Sequence, residues 1–114
     1  MAVGTLKRIA GPAYIANAAT DIYTPAASTI YTVINHIHIA NVTGGAVTFS
    51  LYVGATGGSS GGTQLEGTYS VAANSDWDKY FSPGLRMSST DFLSGIASAA
   101  NSLVITVMGT QAVV

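Results

Sequence analysis

Two imidazoles stand two residues apart in the segment Ile34-Asn35-His36-Ile37-His38-Ile39. In a β-strand, residues i and i+2 share a face, so both rings would reach the same side. Neutral imidazole is a common ligand of divalent transition metals. Two nitrogens do not complete a site within one chain, and the neighbouring sequence offers no evident third ligand. Three copies around a threefold axis would supply six nitrogens, a set that suits an octahedral ion. The plainer reading is favoured. His36 and His38 line the outward or inter-subunit face of a strand whose other parity, Ile37 and Ile39, fills the core. On that reading no metal and no cofactor are expected.

A second constellation is Asp76-Trp77-Asp78. Glycosidases use two carboxylates about 5–10 Å apart across a cleft, and strand neighbours at i and i+2 lie about 6.6 Å apart. Spacing alone therefore permits the chemistry. Nothing nearby in sequence would raise one of the two pKa values, and no second polar group converges. Solvated aspartates flanking a core tryptophan are the favoured reading. Trp77, Tyr80 and Phe81 together suggest a carbohydrate platform, but core packing is the commoner fate of such aromatics. The segment from Gly54 to Gly62 holds five glycines in nine positions. It lacks the Lys-Ser/Thr pair and the following helix that a phosphate cradle requires. No serine sits in a G-x-S-x-G elbow. Cysteine is absent, which removes disulfides and thiolate chemistry. The chain is expected not to be an enzyme.

The elements that must carry these residues are strands. Val47, Phe49, Leu51 and Val53 alternate with Thr48, Ser50 and Tyr52, so one face is buried and the other is wetted or covered by a partner. The preceding run from Thr29 is dense in β-branched and aromatic residues. With Thr43-Gly44-Gly45 between them, the two runs read as a β-hairpin spanning Thr29 to Gly54. Residues 1–12 are expected to form an N-terminal arm, broken from the rest by Gly11-Pro12, and residues 13–114 a single β-sandwich domain. Further strands are expected over 13–24, 65–72, 76–81, 92–97 and 102–111. Ala73-Asn74-Ser75, Ser82-Pro83-Gly84, Ser88 to Asp91 and Ala99-Ala100-Asn101 punctuate them as turns, and the glycine-rich loop sits at a sheet tip. Short strands with turns roughly every 8–12 residues indicate an all-β sandwich. A jelly-roll-like topology is the first choice and an immunoglobulin-like sandwich the alternative.

Composition bears on partners. Charged residues make up 8% of the 114 positions, against about 25% in typical globular domains. Hydrophobic residues make up 48% and mean hydropathy is +0.42. No run approaches the ~18 continuous apolar residues of a membrane helix, so no membrane association is expected. A weakly charged exterior without a membrane span is expected to be hidden by other protein, in a homo-oligomer docked on a larger body. Net charge is −1, and Lys7, Arg8, Lys79 and Arg86 are scattered. Direct nucleic-acid binding, which depends on clustered cations, is not expected. Asn41-Val42-Thr43 has the form of a glycosylation sequon. It carries no weight here, because no secretory signal is recognised and the chain is expected to be made in the cytoplasm.

Several segments together resemble a known group. They are the strand Ile34-Asn35-His36-Ile37-His38-Ile39-Ala40-Asn41, the run Thr48 to Gly57 (TFSLYVGATG), the turn Val71 to Ser75 (VAANS), and Gly84 to Gly95 (GLRMSSTDFLSG) before a last hydrophobic strand. From about Tyr31 to Gly109 the chain resembles small virion proteins of tailed bacteriophages, of the capsid decoration (cement) or head structural type. The resemblance implies a structural protein, trimeric over capsid symmetry axes, that binds the major capsid protein on the outside of the phage head. A tail or fibre component, or a carbohydrate-binding module displayed on the virion, is the alternative. Interface candidates are Arg86, Tyr52, His36, His38, Val113 and Val114. Arg86 is expected to bridge subunits through Asp76, Asp78 or Asp91.

Overall fold

A computed structural model of the chain describes residues 4–55 and 64–113. Eight strands follow one another: β1 (Thr5–Tyr14), β2 (Thr20–Tyr23), β3 (Thr29–Asn41), β4 (Val47–Gly54), β5 (Gln64–Val71), β6 (Asp76–Ser88), β7 (Phe92–Ala97) and β8 (Leu103–Val113). They form two four-stranded antiparallel sheets, ordered β1-β8-β3-β6 and β2-β7-β4-β5. The pairing is nested: β4 with β5, β3 with β6, β2 with β7, β1 with β8. This is the pattern of one long antiparallel ribbon, folded back on itself so that β3 also meets β8 and β4 also meets β7. A ribbon rolled in this way is a jelly roll, the expected topology; the immunoglobulin-like alternative falls away.

The nesting overturns the hairpin expected over Thr29–Gly54. The two strands exist where the alternation places them, but β3 lies in one sheet and β4 in the other. The segment from Val42 to Ala46 is therefore an arch between sheets. Among the described strands, β4 and β5 are the only consecutive pair that share a sheet. The residues between them include most of the glycine-rich loop, whose expected place at a sheet tip lies outside the described residues.

Two further expectations change. Residues 5–12, expected as an arm, form most of β1 and pair with β8 from Thr5↔Gln111 onward. Little of this edge strand is buried, with Leu6 76% exposed, so its sequence carries no clear alternation. Gly11-Pro12 does not end the strand but sits within a register shift between Ala10 and Ala13. Gly11 has φ +77°, and a Cβ there would lie 2.0 Å from the Ile105 carbonyl oxygen, so only glycine fits. The strand expected over 13–24 is interrupted, since residues 15–19 link β1 to β2 across the sheets.

Ser82-Pro83-Gly84 likewise does not end β6. Ile34 pairs with Leu85 and His36 with Tyr80, so Asn35 on β3 faces four residues, Phe81 to Gly84, on β6. The same step appears against β8, where Ile34 pairs with Gly109 and His36 with Met108. This bulge exchanges the faces of β3. Before it Thr32 and Ile34 point inward, and after it Ile37, Ile39 and Asn41 do. Gly84, at φ +124°, makes the bulge sterically possible, because a Cβ there would come within 2.6 Å of Val33 Cγ1.

The core lies between the sheets. Ile34, Ile37 and Ile39 of β3 and Leu103, Ile105 and Val107 of β8 belong to one buried cluster with Val47, Phe49 and Leu51 of β4 and Leu93 of β7. Each fully buried side chain of this size contributes about 1.5–3 kcal/mol relative to exposure. Trp77 packs edge-on against Phe49, centroids 4.9 Å apart, and Tyr69 lies 5.8 Å from Trp77. Two polar knots join the layers. The Tyr23 hydroxyl of β2 meets Thr32 Oγ1 of β3 at 2.9 Å and accepts a hydrogen bond from Gln111 Nε2 of β8 at 2.8 Å. At one end of the sandwich, Asn41 Nδ2 donates to the carbonyls of Gly45 (2.8 Å) and Val71 (3.0 Å), while Oδ1 accepts from Thr43 N and Thr43 Oγ1.

Candidate functional site: a histidine pair sharing one carboxylate

The bulge at Asn35 decides where the histidines point. Had the alternation continued from Ile34, His36 and His38 would face the core. With one residue inserted, both lie on the outer face of the β1-β8-β3-β6 sheet, as expected. Across the sheet, His36 stands opposite Tyr80 of β6 and Met108 of β8, and His38 stands opposite Asp78 and Thr106. Cross-strand partners share a face, so Asp78 and Tyr80 are brought to the histidines by register alone.

The side chains converge. His36 Nε2 and His38 Nδ1 each lie 2.7 Å from the same oxygen, Asp78 Oδ1. On its far side, His38 Nε2 is 3.9 Å from Asp76 Oδ2. Tyr80 stacks on His36 with centroids 4.3 Å apart and planes inclined by 2°. Hydrogen bonds from His38, then from His36, hold the Asp78 carboxyl below its ordinary pKa. An ionised carboxylate only accepts hydrogen bonds, so in this arrangement His36 carries a proton on Nε2 and His38 one on Nδ1. The side chains remain 23% (His36), 35% (His38) and 34% (Asp78) exposed, and the cluster is open to solvent.

The third donor absent from the sequence reading is Asp78, which lies 40 residues beyond His38 in the chain. The clue available in sequence was the Asp-x-Asp alternation, whose outward parity matches that of His-x-His. Of the two carboxylates in the glycosidase reading, Asp78 does not fit the general-acid role. Asp78 is held in its charged form, whereas a general acid needs its pKa raised. The carbohydrate platform does not assemble either. Trp77 and Phe81 pack against the core, whereas Tyr80, 71% exposed, stands on the opposite face.

The remaining interface candidates are dispersed. Arg86 is exposed on β6 with its guanidinium 4.7 Å from the centre of the Tyr31 ring, a cation–π contact within the chain. Tyr52 is half-buried on β4, and Val113, at the end of β8, is 47% exposed. Val114 lies outside the described residues. The Asn41 amide is buried and fully engaged by the arch, so the sequon is a structural clamp.

No family model matches the chain, and no curated protein matches it in sequence. Among solved structures, the chain is similar to one from a study of Bacillus endospore appendages, described as a novel family of disulfide-linked pili. The TM-score is 0.57 at 20% identity, over 100% of this chain and 91% of that one. It is also similar to a chain in the structure of infectious bursal disease virus, Gx strain, with TM-score 0.50 and 12% identity. That match covers 99% of this chain but only 32% of the viral chain. At these identities the likeness shows a shared sandwich architecture.

Proposed function

We infer that this chain is a structural virion protein of a tailed bacteriophage, a decoration or cement protein that oligomerises and binds the outer capsid surface. The observation that carries the reading is the exterior of the β1-β8-β3-β6 sheet. Leu6 (76% exposed), Tyr80 (71%) and Met108 (44%) stand there in water, on a chain with only 8% charged residues. Such a surface gains from being covered by protein. Binding an assembled shell, and not its separated subunits, stabilises the shell by mass action, and repetition over many identical sites multiplies a modest contact. On this reading the work is burial and not catalysis. The assembly is a homotrimer made in the host cytoplasm, and its partner is the major capsid protein at the head surface.

The test is a cryo-EM map of particles carrying the protein, together with light scattering of the purified chain. Density over capsid symmetry axes and a trimer mass are expected; a clean monomer absent from the head would overturn the reading. Arg86 serves as a local probe. Arg86→Ala is expected to weaken assembly, and normal assembly would remove Arg86 from the interface.

A second reading, a tail or fibre subunit, is favoured by the near end-to-end likeness to the appendage chain. The pili named there are disulfide-linked, and this chain has no cysteine. A filament built from it would therefore depend on non-covalent contacts, and density along a tail or fibre would select this reading.

A further inference from the structure

We propose that His36, His38 and Asp78 bind one first-row divalent transition ion, of which zinc is the representative, on the outer face of a single chain. Three donor atoms of the right kinds already converge, all within 4.8 Å of one another. Two imidazole nitrogens and one carboxylate oxygen form a set that suits zinc, nickel, cobalt or copper, and that calcium or magnesium, which prefer all-oxygen shells, would not favour. A metal held at about 2.0–2.2 Å from each ligand sets neighbouring donors roughly 3–3.4 Å apart. The two nitrogens now 2.7 Å from Asp78 Oδ1 need retreat from it by a few tenths of an ångström, both must move their protons to the far ring nitrogen, and their mutual separation, within 4.8 Å, must settle to the same donor spacing.

The surroundings suit the same ion. Binding at His38 Nδ1 requires its proton to sit on Nε2, the nitrogen that faces the Asp76 carboxylate. A carboxylate behind a ligating imidazole favours that tautomer and makes the ligand more basic. His36 is held flat against Tyr80, which fixes its ring plane. The ligands stand on two adjacent, hydrogen-bonded strands of one sheet, so the site is largely formed before an ion arrives. Three ligands leave further coordination positions open towards solvent, to be filled by water or by a group from a docking partner. No symmetry axis is needed, in contrast to a site built from the histidines alone.

Zinc titrated by calorimetry into the untagged full-length chain tests the proposal, with cobalt as a visible-absorption probe of nitrogen and oxygen ligation. One ion per chain is expected, with a rise in thermal midpoint on zinc addition and its reversal by chelator. His38→Ala and Asp78→Asn should each weaken zinc binding by about 100-fold or more, and Asp76→Asn by about 10-fold. Should His38→Ala fail to fold, Asp78→Asn and His36→Gln, polar replacements at solvent-accessible positions, carry the test. The proposal is overturned if the wild-type chain binds no zinc or if the ligand variants bind it as tightly. A stoichiometry of one ion per three chains would place the site on a symmetry axis and equally overturn it.

Discussion

His38 on β3 and Asp78 on β6 are exact cross-strand partners, and their side chains meet at 2.7 Å although 40 residues separate them in sequence. His36, one step along the same face, reaches the same carboxylate oxygen. The pair of strands therefore closes on a charged knot in the sheet whose edge strands also carry Lys7, Arg8, Lys79 and Arg86.

The first prediction concerns acid. Because the folded-state pKa of Asp78 is depressed, ionised Asp78 favours the folded state. That contribution is fully present above the unfolded carboxylate value of about 3.9 and is lost as pH falls through the lower, folded value. In chelator, the thermal midpoint of the wild type should exceed that of Asp78→Asn at neutral pH. The gap should close below about pH 4. A gap that is constant down to pH 2 would contradict the assignment.

The bulge makes a second prediction. Gly84 occupies φ +124° beside Val33 Cγ1, a backbone region that side chains rarely adopt. Gly84→Ala should cost about 1–3 kcal/mol, read as a lower urea midpoint at unchanged slope.

Asn41 makes a third. Its amide serves the carbonyls of Gly45 and Val71 and the Thr43 main chain at once. Asn41→Ala would leave buried acceptors unsatisfied and should destabilise the chain by about 2–4 kcal/mol, measured by urea unfolding. Thr43→Ala removes one hydroxyl of the same knot and should cost about 1 kcal/mol.

Tyr23→Phe is the fourth. It deletes the hydroxyl that links Thr32 and Gln111 across the sheets while keeping the ring. A loss of about 1–2 kcal/mol is expected, and the double variant with Gln111→Leu should recover part of it. Full additivity in that cycle would show that the two groups do not interact.

Strand positions were legible where one face is buried and the other is not. The alternation in β4 and β8 and the bounds of β7 follow directly from side-chain type. Pairing partners were not legible, because Thr43-Gly44-Gly45 signals a reversal of direction without saying whether the chain returns to the same sheet. Ser82-Pro83-Gly84 carries the composition of a turn, and the bulge uses the same backbone freedom inside a continuous strand. β1 was missed as a strand because an edge strand with both faces wet has no hydrophobic period to read. Of the candidate site, the two histidines were visible, whereas the contact with Asp78 depends on a register that only the folded sheets define.

The concentric order of strand partners has a consequence for synthesis. β3 occupies an interior position in its sheet, flanked by β6 and by β8, and β8 follows the other seven described strands in the chain. A nascent chain can close the β4–β5 ribbon early and add β3 to β6 soon after, each closure shortening the span that the next must bridge. Its first strand waits for β8, and stalling short of Leu103 leaves β1 unpaired and β3 open along the edge where strand addition and aggregation begin.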